Sequence, residues 1–337
     1  MRKSTVTWLL PVKNGMPYLR ETLASLEAQT FRDFEVLAWD NGSTDGTIDE
    51  LRRWIPSRLP GRIVVDQPLG LGASLAEMVN QAQTDLCARI DADDVNLPER
   101  LEQQIRFLES HPEVAIVGTQ MTKIDESGRK DGLQDYLPLQ HDDIVHRMLD
   151  KSVMIHPTVL FRRQAVIAVG NYRDVQPIED RDLWMRLAVK YKLANLESRL
   201  LNYRVHKAST TQQTIKRGIA MEVVSRCFVK NAPDLFGCSD RDARLLRSHR
   251  SLFLLPLLLR IAHHLSREQG GTILGRLGTD SFQEAAKNLT HRRDVLTRLF
   301  LACFSPTPGG KLRDMRNAVE GGVRHYFAAI RRRISVR

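Results

Sequence analysis

Short apolar runs and helical stripes alternate along the first 120 residues. Val6–Val12 is an apolar run of strand length. Residues 17–29 follow, with Tyr18/Leu19, Leu23 and Leu26 at the spacing that lines one face of a helix. Residues 34–39 read as a strand and 44–54 as a helix capped by Ser43 or Thr44. The order repeats with a strand at 63–65, a helix at 72–83, a strand at 86–90, a helix at 98–110 with Pro98 in its first turn, and a strand at 114–119. Repeated β-α units predict an α/β domain with a mostly parallel central sheet, covered on both faces. Ligands of such sheets bind beyond the carboxyl ends of the strands.

Composition narrows the class. With 42% hydrophobic and 27% charged residues, the 337-residue chain reads as globular, with room for one large domain or two moderate ones. Its four cysteines are scattered without a C-x-x-C pair, which argues against a disulfide frame or a zinc site and points to a reducing compartment. The apolar stretch after Met1–Lys3 is short and runs into Pro11 and Lys13, so it reads as a first buried strand rather than a signal peptide. No stretch approaches the roughly 20 apolar residues of a membrane span. Neither G-x-G-x-x-G nor a Walker A sequence occurs, which disfavours a dinucleotide-binding domain or a P-loop NTPase.

The net charge of +10 is uneven. Residues 1–210 hold 27 Lys and Arg against 30 Asp and Glu, a balance of −3, and residues 211–337 hold 23 against 10, a balance of +13. The last third therefore points to an anionic partner such as nucleic acid, an acidic glycan or an anionic membrane surface. Near its end Val323, Phe327, Ile330 and Ile334 share one helical face flanked by Arg324, Arg331, Arg332, Arg333 and Arg337. That pattern fits a basic amphipathic helix on a bilayer, or a helix packed on the fold with a solvated arginine face. The run Leu252 to Leu259 reads as a kinked buried helix or a membrane-facing one.

The sharpest chemical signal is Arg89-Ile90-Asp91-Ala92-Asp93-Asp94. Three carboxylates fall within four residues after an apolar run. Like charges so close repel, and burying them is costly unless a cation joins them. Mg2+ or Mn2+ is the natural partner, since hard cations prefer carboxylate oxygens and can bridge to phosphate.

The flanking motifs carry a resemblance. Pro11-Val12-Lys13-Asn14-Gly15, Leu23 to Phe31, Asp40-Asn41-Gly42-Ser43-Thr44-Asp45-Gly46-Thr47, Ala88 to Asp94, Leu97 to Gln104, His156 to Arg163, Glu179 to Leu187 and Tyr203-Arg204-Val205-His206 together resemble glycosyltransferase family 2. The resemblance covers roughly residues 4–210. It implies a GT-A type nucleotide-binding fold at 1–210, with a nucleotide-sugar half at about 1–120 and an acceptor half at about 121–210. A helical basic region at 211–337 follows. It further implies an inverting, metal-dependent transfer of a sugar from a nucleotide diphosphate sugar to an acceptor hydroxyl. The implied setting is bacterial cell-surface polysaccharide assembly (lipopolysaccharide, O-antigen or exopolysaccharide).

Site roles follow from the same resemblance. Asp93 and Asp94 hold Mn2+ or Mg2+, and Asp91 contacts ribose or metal. Asp180 is the base and Glu179 the alternative base, at a helix start where the dipole keeps a carboxylate's pKa low unless burial raises it. Pro11, Asn14, Asp40, Asn41, Arg89 and Asp91 face the nucleotide sugar. His206 reaches the metal or a phosphate, or else is a hydrogen-bonded core histidine. His156 is structural or lines the acceptor, and Asp182 forms a surface pair with Arg181 or Arg186. Two positions depart from the family pattern. Asn41 stands where relatives have a second aspartate, which leaves UDP favoured and dTDP or GDP open. Ala76 stands where relatives carry Asn.

The implied partners are a UDP-sugar, a saccharide acceptor that can be lipid-linked, and an anionic membrane surface. Nucleic acid is not expected. The implied location is cytoplasmic, peripheral on the inner face of the plasma membrane. Two rivals stand beside this reading. A sugar nucleotidyltransferase also uses metal-bound carboxylates, but Pro11 to Gly15 matches its glycine-rich loop poorly. A nucleic-acid-binding protein has only the basic last third to support it.

Overall fold

The structure is a computed structural model. It describes residues 5–131, 136–209, 220–248 and 254–272, with positions 276, 279, 282, 284 and 286. The chain divides into two compact units, one from residues 1–141 and 153–224, the other from residues 142–152 and 225–337.

The first unit is built on an eight-stranded sheet of order β3-β2-β1-β4-β7-β6-β8-β5. Its strands are β1 (Val6–Val12), β2 (Phe34–Asp40), β3 (Gly61–Val65), β4 (Leu86–Arg89), β5 (Val95–Asn96), β6 (Val114–Ile124), β7 (Leu160–Arg162) and β8 (Lys192–Arg204). The β3-β2-β1-β4 half is parallel, as the β-α alternation predicts. Its inner strands β1, β2 and β4 are almost wholly buried, all seven residues of β1 among them, while the edge strand β3 has no buried residue. Helices α1 (Leu19–Glu27), α2 (Thr47–Trp54) and α3 (Leu71–Gln81) connect these strands, and α4 (Arg100–Ser110) lies between β5 and β6. Trp8, Leu10, Val36 and Ala38 pack in one core with Leu19, Leu23 and Leu26 of α1, Leu51 of α2, and Leu101 and Leu108 of α4.

The other half is mixed. β7 runs antiparallel between β4 and β6, while β6 and β8 are parallel over a long, irregular pairing with three register shifts. Such irregularities bend a strand and increase its twist. The tiny β5 pairs antiparallel with the end of β8, Val95 opposite Asn202. Residues 91–94 therefore lie in a link pinned at both ends, by β4 against β1 and by β5 against β8. Helices α6 (Arg163–Ala168) and α7 (Glu179–Lys190) complete this unit, while α5 (His141–Arg147) belongs from Asp142 onward to the second.

Two helix starts differ from the sequence reading. α2 begins at Thr47 after Gly46, whose φ of 88° is left-handed, and Asp45 rather than Ser43 or Thr44 accepts from the Thr47 N–H at 3.1 Å. Ser43 and Thr44 are used elsewhere, on Asn14. α4 begins at Arg100 rather than Pro98.

In the second unit, helices Ala220–Phe236, Asp240–Ser248 and Leu255–Gln269 bury Phe228, Phe236, Leu246, Leu258, Ile261 and Leu265. Of the run Leu252 to Leu259, read as a kinked buried helix or a membrane-facing one, residues 252 and 253 lie outside the described residues, and Leu255 starts a helix with Pro256 in its first turn. Leu257 and Leu258 point into the unit. His146 meets the Phe282 ring edge-on at 5.6 Å, and Arg276 pairs with Asp142 at 2.5 Å. The arginine-flanked stripe at Val323, Phe327, Ile330 and Ile334 lies outside the described residues. No helix among the described residues is long and apolar enough to cross a membrane.

Candidate active site

The chemistry-bearing residues gather at the carboxyl ends of β1, β2 and β4. Pro11 is buried in β1. Just past the strand, Asn14 sits at φ 54°, a left-handed conformation that Asn tolerates better than most residues. Its backbone N–H donates to Ser43 Oγ (2.8 Å), and its side-chain oxygen accepts from Thr44 N–H (2.9 Å). Asp40 is buried. One of its oxygens accepts from Gly42 N and Ser43 N at 3.0 Å each, and the other, Oδ1, is buried without a partner. Asn41 is committed internally. Its oxygen accepts from Leu69 N (3.1 Å), and its amide reaches Ser74 Oγ (3.4 Å).

The acidic link is the densest charge in the site. Carboxylate oxygens of Asp91, Asp93 and Asp94 lie within 4.8 Å of one another. Each also has a protein partner. Arg89 donates to Asp91 (2.7 Å), His206 Nε2 meets Asp93 Oδ2 (2.8 Å), and the Arg204 backbone N–H donates to Asp94 Oδ1 (2.8 Å). Asp94 Oδ2 is buried and unpartnered. Burial, then the charges of Asp93 and Asp91, push the Asp94 carboxyl well above its usual range. Three hard oxygen donors with an orphaned buried oxygen among them fit Mg2+ or Mn2+. Beside them, the His206 ring lies against Tyr18 with centroids 5.0 Å apart.

A second acidic group starts α7. Glu179 is buried, its Oε2 has no partner, and its Oε1 is 3.8 Å from His156 Nδ1. Burial, then the charge of Asp180, push Glu179 up to about 8. Asp180 is also raised by burial, opposed by the bond it accepts from Arg181 N–H at 2.6 Å. The helix-dipole expectation of a low pKa is thus overridden by desolvation. His156 bonds Tyr172 Oη at 3.0 Å and meets the Trp184 ring edge-on. Burial, then the charge of Arg89, hold His156 well below its usual pKa, so it is neutral near pH 7.

Arg89 connects the two acidic groups. Its side chain is 1% exposed, bonded to the Ile90 carbonyl and to Asp91. Its charge lowers the pKa of Asp91, Asp94, Glu179 and Asp180 alike. Asp182 differs from the surface pair expected. It is buried, bonded to Arg186 at 2.7 Å and Arg173 at 3.4 Å.

Sequence reasoning missed three side chains. Arg204 is buried behind the acidic link, Tyr18 lies under its guanidinium, and Tyr172 anchors His156. Only the apolar setting of Arg204 at the end of a strand pattern could have marked it, as a charged residue where burial was expected.

The family model described as glycosyl transferase family 2 matches residues 7–170. The chain is 36% identical over 189 residues to the amylovoran biosynthesis glycosyltransferase AmsE of Erwinia amylovora, covering 55% of this chain and 70% of that one. It is 26% identical over 216 residues to the UDP-Gal:alpha-D-GlcNAc-diphosphoundecaprenol beta-1,3-galactosyltransferase of Escherichia coli, covering 63% and 77%. Among solved structures, the mannosyltransferase PcManGT from Pyrobaculum calidifontis, in complex with GDP-Man and Mn2+, superposes with a TM-score of 0.55 at 18% identity, covering 95% of this chain and 88% of that one. By its sequence and its α/β fold of GT-A type, the chain belongs to glycosyl transferase family 2 and is an enzyme of glycosyl transfer.

Proposed function

We propose that this enzyme is an inverting, divalent-metal-dependent glycosyltransferase. It moves a sugar from a nucleotide diphosphate sugar to an acceptor hydroxyl in bacterial cell-surface polysaccharide assembly. The observation that carries the reading is the acidic triad, drawn within 4.8 Å around a buried, unpartnered Asp94 oxygen. Asp91, Asp93 and Asp94 hold Mn2+ or Mg2+, and His206 stands beside them on Asp93. When bound, the cation supplies charge neutralisation for the leaving diphosphate. The GDP-Man and Mn2+ complex of the archaeal neighbour supports this assignment.

Asp180 is the general base toward the acceptor hydroxyl. A base works best when its pKa lies near the operating pH, and burial moves Asp180 in that direction. Glu179, pushed to about 8, holds its proton in most molecules near pH 7, which favours Asp180. Asp40 offers its free oxygen to a base N–H, while both ends of the Asn41 amide are taken. A single imide N–H, which uracil and thymine share, suits that acceptor, and the UDP-Gal donor in the name of the Escherichia coli relative favours UDP. GDP and dTDP remain the alternatives. Pro11 and Asn14 shape the nucleoside end, and Arg89 acts through Asp91.

Residues 1–210 form the catalytic domain. The acceptor is lipid-linked, as the diphosphoundecaprenol acceptor in that relative's name supports. The +13 balance of residues 211–337 holds the enzyme peripherally on the cytoplasmic face of the plasma membrane. The test is a panel of nucleotide sugars with Mn2+, read as sugar transfer or donor hydrolysis. One donor should be consumed in Mn2+, and consumption should stop in EDTA and in Asp93→Ala. Undiminished transfer under both conditions would overturn the metal assignment.

A further inference from the structure

Arg204 gathers more of the site than any acidic residue does. Its side chain is 1% exposed. Nε donates to the Asp93 carbonyl (2.9 Å), and Nη1 reaches the carbonyls of Asp125 and Glu126 (3.3 Å each). Nη2 pairs with the Glu21 carboxylate of α1 (2.7 Å), and the guanidinium carbon lies 4.6 Å from the centre of the Tyr18 ring. The same residue's backbone N–H donates to Asp94 Oδ1 (2.8 Å). Two residues further on, His206 bonds Asp93 and lies against the Tyr18 ring.

One planar cation thus fastens the acidic link, helix α1, the turn after β6 and the end of β8. A guanidinium suits this because its donors form a rigid fork that serves several acceptors at once. A second buried cation so near a metal site would ordinarily repel the metal. Here Glu21 lies against the guanidinium and offsets its charge, so the fork can position without repelling.

We propose that Arg204 is the positioning residue that presets the divalent-cation site, holding the Asp93 backbone and the His206 segment in one arrangement around the triad. The inference rests on the metal reading above. Partners that orient metal ligands without touching the metal typically contribute 10–100-fold to metal affinity. A residue that served only the fold would lower the melting temperature and leave the affinity of the folded protein alone.

The test is Mn2+ titration of the metal-free full chain, followed by electron paramagnetic resonance of the free ion at a temperature where every variant is folded. Wild type should take up Mn2+ and Asp93→Ala should not. Arg204→Met should bind about 10–100-fold more weakly. Arg204→Lys keeps the charge but not the fork, and should recover only part of the loss. Glu21→Gln, at the accessible end of the pair, should lose less than either. If Arg204→Met does not fold, Arg204→Lys decides. Wild-type affinity in folded Arg204→Lys overturns the role of Arg204 and leaves the metal reading standing. Failure of wild type itself to take up Mn2+ overturns the metal reading, and this inference with it.

Discussion

Replacing Glu179 by Gln should make the protein's stability much less sensitive to alkali. Glu179 is 4% exposed, one of its oxygens has no partner, and its ionisation is moved from an ordinary 4.5 to about 8 by burial and by the neighbouring Asp180 charge. That gap, at 1.36 kcal/mol per pH unit, corresponds to about 5 kcal/mol. Below pH 4.5 the folded and unfolded chains both hold the proton. Between 4.5 and about 8 the unfolded chain has released it and the folded chain keeps it, so stability falls as pH rises. Above about 8 both have released it, and this group contributes no further slope. The charged and titratable groups around it are Asp180, Arg89, Asp91, His156 and Tyr172. His156 works in the opposite sense, since its lowered pKa favours the fold as pH rises toward its unfolded value. Comparing Glu179→Gln with wild type largely cancels those neighbours. Melting temperatures should be taken from about pH 5 to about pH 8.5. At 2–4 °C per kcal/mol for a unit of this size, the variant's advantage should widen by roughly 10 °C over that range. Two curves that stay parallel would mean that Glu179 is ionised throughout, and the case against it as the base would fail with that result.

Two further outcomes are expected. Asp180→Asn should retain nucleotide binding and lose about 10²–10⁴-fold in turnover, while Glu179→Gln keeps near-native turnover at neutral pH; the reverse pattern in steady-state kinetics would move the base to Glu179. Sedimentation with anionic vesicles should exceed that with neutral ones, weaken with salt, and fall when residues 320–337 are removed, since each basic residue near such a surface contributes about 1 kcal/mol; equal and negligible sedimentation of both forms would leave the arginine face as ordinary solvated surface.

The parallel half of the sheet was legible because its inner strands β1, β2 and β4 are almost wholly buried and so read as apolar runs between helical stripes. The rest depended on pairings far apart in sequence. β5 is two residues long and exists only because Val95 and Asn96 meet Asn202 and Leu201 more than a hundred positions away. No local pattern announces such a strand. The start of α2 was misread for a related reason. Ser43 and Thr44 are good caps in isolation, but in the fold they serve the left-handed turn at Asn14, while Asp45 turns back onto the Thr47 backbone and hydroxyl.

The acidic residues of the site were legible as a cluster, but their electrostatic state was not. Spacing shows that Asp91, Asp93 and Asp94 are close. It does not show that Asp94 is sealed from solvent with one oxygen unmatched, or that a buried Arg89 lowers the pKa values of both carboxylate groups at once. Burial also reverses two sequence readings. Asp182 looks like a surface partner on a polar helix turn, yet it lies inside with Arg186. Asn41 looks free to read a base, yet its amide is spent on Leu69 and Ser74. In each case a partner draws the polar side chain inward: Leu69 and Ser74 from a distant segment for Asn41, and Arg186 of the same helix with Arg173 for Asp182. The cost of leaving that partner unmatched, about 1–3 kcal/mol for a buried polar group, is what commits the residue. The same reasoning separates the two carboxylates at the start of α7. Adjacent in sequence and alike in chemistry, both are raised by burial, but Glu179 reaches about 8 with one oxygen unmatched, while a backbone donor on its oxygen opposes the shift of Asp180.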